Sequence, residues 1–178
     1  LAIKTFRSTT ASVYAFVGLG STARATLTCL LESSPAEELN IRLFRYKDQA
    51  EKIVAEYGHY ANARFEIVDT MEELVAGADV VVSCITDAQG LLVEDESLFK
   101  PGVLVVPVHT RGFQNCDTTF DKVFADDTDH VKGFRYFSQF REFHQPTNMM
   151  VTPITEQHYS LPLNSEVGGQ SIAAESMS

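Results

Sequence analysis

No apolar run in this chain approaches the ~20 residues that a helix needs to cross a bilayer, so no membrane span is expected. The start, Leu1-Ala2-Ile3-Lys4-Thr5-Phe6-Arg7, lacks the long apolar stretch of a secretory signal. It also lacks an initiator methionine, which fits a fragment of a longer protein. No basic cluster exceeds two residues, and 14 Lys and Arg stand against 24 Asp and Glu, a net charge of −10. Nucleic-acid binding needs a positive footprint, so a general role of that kind is excluded. Acidity of this size mostly serves solubility. The three cysteines, Cys29, Cys84 and Cys116, are odd in number and widely spaced. They match neither a zinc pattern nor a disulfide framework, and no metal site is expected. Cys29 and Cys84 lie in apolar helix and strand contexts, so buried free thiols are expected. A reducing, cytoplasmic setting follows.

What is present begins with Val13-Tyr14-Ala15-Phe16-Val17-Gly18-Leu19-Gly20-Ser21-Thr22-Ala23. An apolar run ends in G-x-G-x-x-A and passes into Arg24-Ala25-Thr26-Leu27-Thr28-Cys29-Leu30-Leu31, which continues as a helix. Strand, tight turn and helix start are the opening of a dinucleotide-binding βαβ unit. Gly18 lets the chain turn off the strand, Gly20 removes a Cβ that would block a pyrophosphate, and Ala23 lets the helix approach the sheet. The free N–H groups and the positive end of the helix then face the phosphates, and Leu19, Ser21 and Thr22 join Gly18, Gly20 and Ala23 as cofactor-binding candidates. The alternative is an ordinary β–α turn without a ligand.

Strand and helix signals alternate from there. Ile41–Phe44 reads as a second strand and Asp48–Tyr57 as a helix stopped by Gly58. Arg64–Val68 reads as a third strand, and Thr70-Met71-Glu72-Glu73 is a capping box opening a helix that ends near Gly77. Val80–Ile85 is a continuous apolar run, as in strands buried on both faces. Pro101-Gly102 turns into a fifth strand, Val103–Val108, and Val123–Ala125 is a short sixth. This alternation predicts an α/β fold with a doubly wound parallel sheet in the order 3-2-1-4-5-6. The organisation expected is a short helical segment over residues 1–12, a Rossmann-like dinucleotide-binding domain over 13–143, and an irregular tail over 144–178. A chain of 178 residues buries roughly 70% of its unfolded surface, enough for one such domain.

The end of the second strand bears on the choice of cofactor. An Asp or Glu there usually accepts from the adenosine ribose of NAD(H), but this chain reads Phe44-Arg45-Tyr46-Lys47. Arg45 and Lys47 suit a 2′-phosphate, with Arg45 able to pair bidentately, so NADP(H) is favoured over NAD(H). Solvated loop charges, or Arg45 stacked on adenine, are the competing readings. Ligands in open α/β sheets bind outside the carboxyl ends of strands. That brings Thr86 and Asp87 after the fourth strand, Val108 at the end of the fifth, and His109, Thr110 and Arg111 after it, to the crevice. Thr86 can hydrogen-bond a ribose or phosphate. His109 is the one acid/base candidate near a nicotinamide, although a lone His is more often structural.

The run from Val13 to Asp127 resembles the cofactor domain of the ornithine cyclodeaminase/mu-crystallin family. The matching pieces are Gly18–Ala23, Ile41–Arg45, Gln49–Lys52, Val75–Val82 with Thr86, Leu98–Gly102, and Asp117, Val123 and Ala125–Asp127, in the family's order and spacing. The resemblance implies a homodimeric α/β protein binding NAD(H) or NADP(H), with hydride transfer at an amine-bearing carbon through an imine. Members convert ornithine to proline and ammonia, reduce ketimines or oxidise alanine; mu-crystallin binds NADPH and thyroid hormone.

Departures from the pattern limit what carries over. The family's substrate and dimerisation region, with its substrate-gripping Arg and Lys, precedes the cofactor domain and is missing here; Arg7–Ser12 is similar only to the edge of it. The lyases carry a catalytic Asp just beyond the fifth strand, where this chain has His109-Thr110-Arg111 and no acid before Asp117. Phe134, Phe137, Phe140 and Phe143 read as a helix face packed on the sheet. From His144 on, the last 35 residues hold no Lys or Arg and three of the six prolines. The expectation is therefore a cofactor-binding domain not competent alone, whose amino-acid or imine substrate needs the missing half. A non-catalytic NADP(H)-binding protein and a non-binding α/β remnant are the alternatives.

Overall fold

The computed structural model describes residues 1–108, 112–125, 143–144 and 172–175. Its helices and strands follow the expected alternation: α1 (Ala2–Phe6), β1 (Val13–Val17), α2 (Ser21–Ser33), β2 (Leu39–Phe44), α3 (Gln49–Tyr57), β3 (Ala63–Val68), α4 (Met71–Val75) and β4 (Val80–Ser83). A 3-10 turn at Glu96–Leu98 leads to β5 (Leu104–Pro107), α5 (Cys116–Thr119), β6 (Lys122–Ala125), β7 (Phe143–His144) and β8 (Ile172–Glu175). All the strand pairings are parallel.

The sheet runs β3-β2-β1-β4-β5, the order expected of a doubly wound fold. Beyond β5 the order is β8-β6-β7, so β8, from the stretch read as an irregular tail, lies between the fifth and sixth strands. Nothing local signals this strand, because Ile172-Ala173-Ala174-Glu175 is short and holds one β-branched residue. The Phe134–Phe143 stripe lies outside the described residues except for Phe143, which is in β7 rather than a helix. Both Val80–Ile85 and Val103–Val108 form shorter strands than their apolar runs suggest, ending at Ser83 and Pro107.

Two apolar layers cover the central strands. Tyr14, Phe16, Val80 and Val82 face one with Ala23, Leu27 and Leu31 of α2 and Ile53 of α3. Ala15, Val17 and Val81 face the other with Leu74, Val75, Phe99 and Phe113. Burial on both faces explains why β1 and β4 read as continuous rather than alternating apolar runs. Phe6 of α1 stacks on Phe124 of β6 at 4.2 Å between ring centroids, fixing the N-terminal segment to the domain. Cys84 is buried as expected, but Cys29 is exposed. The buried stripe of α2 is Ala23, Leu27, Leu30 and Leu31, and helical spacing puts position 29 on the opposite side.

Candidate dinucleotide site

The parallel register draws the carboxyl ends of three strands into one line: Val17 pairs with Ser83, and Ser83 with Pro107. The chain continues past each end with a backbone bond to its neighbour. The Cys84 amide donates to Val17 and the Val108 amide to Ser83, both at 2.8 Å. Gly18, Thr86 and Val108 therefore lie at the same edge of the sheet, with Arg45 and Lys47 beyond β2 at that edge as well.

Gly18 has φ +79°, a left-handed conformation that favours glycine. It also meets the start of the β4 loop closely. A Cβ there would lie 2.5 Å from the Ile85 amide nitrogen and 2.6 Å from the Cys84 carbonyl carbon. Gly18 thus serves the turn and also the close approach of two backbones, a second reason invisible in the motif itself. Gly20 is different: a Cβ added there meets nothing within 4 Å. Gly20 is the N-cap of α2 and supplies no side-chain bond to the helix, while the Arg24 amide bonds back to its carbonyl. The amides of Ser21, Thr22 and Ala23 are left as first-turn donors without a side-chain cap. Ser21 and Thr22 are exposed, and Leu19 and Ala23 are 1% exposed, holding turn and helix against the core.

Arg45 is exposed, but its guanidinium is engaged: Nε bonds Asp69 at 2.6 Å, and Nη1 pairs with Glu51. The bond to Asp69 and that residue's charge raise the Arg45 pKa further above its ordinary value. The sequence offered no sign of Asp69, because only the register of Phe44 with Val68 places it beside Arg45. Lys47, the one non-glycine residue with positive φ (52°) among those described, reaches over the Tyr46 ring at 5.1 Å. Thr86 is exposed and Val108 half-buried. His109, Thr110 and Arg111 lie outside the described residues, so the acid/base candidate is not placed. Burial pushes the Cys84 thiol up to about 11, so it is a protonated wall and not a nucleophile. Among the described residues no group of three or more His, Cys, Asp or Glu side chains could hold a metal, and no helix is long and apolar enough to cross a membrane.

Arg7 occupies the other end of the sheet. Its guanidinium holds the Tyr14 hydroxyl and Glu37, the latter at 2.7 Å. It therefore braces the strand starts, where a substrate at the crevice would not reach it.

A sequence profile of the ornithine cyclodeaminase/mu-crystallin family matches residues 1–121. The chain belongs to this family. Solved structures agree in fold. Thermococcus litoralis Δ1-pyrroline-2-carboxylate reductase, in complex with NADH and L-proline, is 13% identical with a TM-score of 0.71; the match covers 99% of this chain and 56% of that one. An archaeal alanine dehydrogenase dimer with bound NAD is 14% identical, with a TM-score of 0.64 and coverage of 99% and 55%. The iminosuccinate reductase of Paracoccus denitrificans in complex with NAD+ is 15% identical, with a TM-score of 0.59 and the same coverage. The chain thus spans about half the length of each. No curated protein sequence matches it.

Proposed function

We propose that this chain is the nicotinamide-dinucleotide-binding half of an oxidoreductase or lyase acting on a small amino acid or imine. The observation that carries the reading is the contrast within one turn: Gly18 is pressed against β4, while Gly20 faces open space beside uncapped helix amides. A pyrophosphate fits both, since it takes the space a side chain would fill and accepts from the amides at the positive end of α2. Gly18, Leu19, Gly20, Ser21, Thr22 and Ala23 would hold it, with Thr86 and Val108 flanking. When bound, the nicotinamide supplies hydride transfer at the amine-bearing carbon. The protein's own part in the described crevice is to bind, orient and wall off one side. The substrate grip and the proton-transfer group come from outside the described residues, so turnover needs the remaining half of the fold.

Arg45 and Lys47 favour NADP(H), whose 2′-phosphate they suit. One observation supports NAD(H) instead: Glu51 and Asp69 already hold the Arg45 guanidinium, so a phosphate must compete with two carboxylates. Calorimetric titration with NADPH and with NADH separates them. Tighter NADPH binding is the expected result, and tighter NADH binding would overturn the role given to Arg45. Binding of neither would sink the proposal itself and leave an α/β domain without a nucleotide.

A further inference from the structure

We propose that the free edge of β3 is a self-association surface, at which a second copy of this chain pairs antiparallel about Phe65. Among the described residues β3 is the terminal strand of the sheet, hydrogen-bonded on one side to β2. The Leu39 amide donates to the Asn62 carbonyl at 2.8 Å and the Arg45 amide to the Val68 carbonyl at 2.9 Å. Even-numbered residues of this segment therefore bond inward, and strand alternation turns the amides and carbonyls of Phe65 and Ile67 outward. The Ala63 amide is taken by the Tyr60 carbonyl at 3.1 Å, which leaves the Ala63 carbonyl. An antiparallel copy centred on Phe65 satisfies these groups. Phe65 exchanges two bonds with its equivalent, and each Ile67 amide meets an Ala63 carbonyl.

Charge selects this arrangement over others. Arg64 and Glu66 are both exposed on one face of β3, while Phe65 and Ile67 on the other face are partly buried against the core. In the antiparallel register about Phe65, Arg64 stands opposite Glu66 of the second copy, twice by symmetry. The parallel in-register alternative puts Arg64 on Arg64 and Glu66 on Glu66, which is repulsive. Within one copy Arg42 of β2 holds Glu66 at 3.1 Å. The pairing extends this to a row of plus, minus and plus across β2, β3 and the neighbouring β3. The half-buried Phe65 rings become a cross-strand pair on the opposite face. Charged edge residues usually prevent such contacts; here their order makes them complementary in one register.

Sedimentation of the full chain from about 1 μM to 1 mM, a range that would reveal a weak dimer, tests the surface. The wild type is expected to pass from monomer to dimer. R64E puts a carboxylate opposite Glu66 of the second copy and should weaken association about tenfold or more; E66R does the same with two cations. Each variant is checked for an unchanged circular dichroism spectrum. Mixing R64E with E66R makes every cross-strand pair complementary again, so the mixture should dimerise where neither variant does alone. That rescue does not occur if the substitutions merely disturb the fold. A wild type that stays monomeric throughout, association that survives R64E, or a mixture that stays monomeric would each overturn the proposal.

Discussion

The two ends of the parallel sheet are built from opposite materials. At the amino end, polar groups meet polar groups. The Asp79 carboxylate, 10% exposed, accepts from the Ser12 amide at 2.9 Å and the Val13 amide at 2.8 Å and pairs with Lys100. Arg7 joins Tyr14 to Glu37, and the Asn62 amide donates to the Ser34 and Glu37 carbonyls. At the carboxyl end, beside β1, the α2 amides have no side-chain cap and Gly20 borders empty space. The first end ties α1 to the starts of β1, β2, β3 and β4. At the second, the first-turn amides of α2 have no side-chain cap, while the exposed Arg45 beyond β2 is held by Glu51 and Asp69.

The largest effect is expected at Gly18. Gly18→Ala adds a Cβ against the β4 backbone at positive φ and should cost ~2–4 kcal/mol in urea unfolding. Gly20→Val, two residues on, places its Cβ where nothing lies within 4 Å. It should leave unfolding within about 1 kcal/mol of wild type but weaken dinucleotide binding about a hundredfold, ~2.7 kcal/mol. If the two variants behaved alike, the distinction between a structural and a ligand-facing glycine would fail.

Asp79→Asn tests the amino end. Burial pushes the Asp79 carboxyl up, but the bonds from Lys100, Ser12 and Val13 outweigh that and hold it below its ordinary value. A lowered carboxylate pKa stabilises the fold above the unfolded value, near ~4, and the gain is lost as pH falls through the folded value. Wild type should therefore exceed the variant by about 1–2 kcal/mol at neutral pH. The two should converge as pH falls through the folded value, read from denaturant midpoints against pH.

Arg45→Ala should have the smallest effect on stability, since its ion pairs are exposed. Its effect belongs in the ratio of NADPH to NADH affinity, which should fall about tenfold, or ~1.4 kcal/mol. An unchanged ratio assigns Arg45 wholly to Glu51 and Asp69.

How much of this was legible in the sequence depends on range. The Gly18–Ala23 turn, the Thr70–Glu73 capping box and the alternation of strands and helices are local, and each stands where local rules place it. Both capping bonds form, the Glu73 amide to Thr70 Oγ1 at 3.1 Å and the Thr70 amide to Glu73 Oε2 at 3.3 Å. The partners of Arg45 and Asp79 depend on strand register. Asp69 stands 24 residues from Arg45, and Lys100 stands 21 from Asp79. No periodicity in one segment reveals that two strand ends will be neighbours. Cys29 is exposed because an apolar neighbourhood in sequence is not a buried face, and the helix turns that position outward. The insertion of β8 beside β5 was illegible for the first reason: strand neighbours distant in sequence leave no local mark.

The central claim is that the open glycine turn at the head of α2 is a dinucleotide cradle. Thermal unfolding of the wild type and of Gly20→Val, each with NADPH and with NADH at a hundredfold excess over the dissociation constant, tests it most directly. A stabilisation of about 2.7 kcal/mol is expected for the wild type with the preferred cofactor, and little or none for the variant at the same concentrations. A wild type indifferent to both cofactors, or a variant stabilised as much as the wild type, would contradict it.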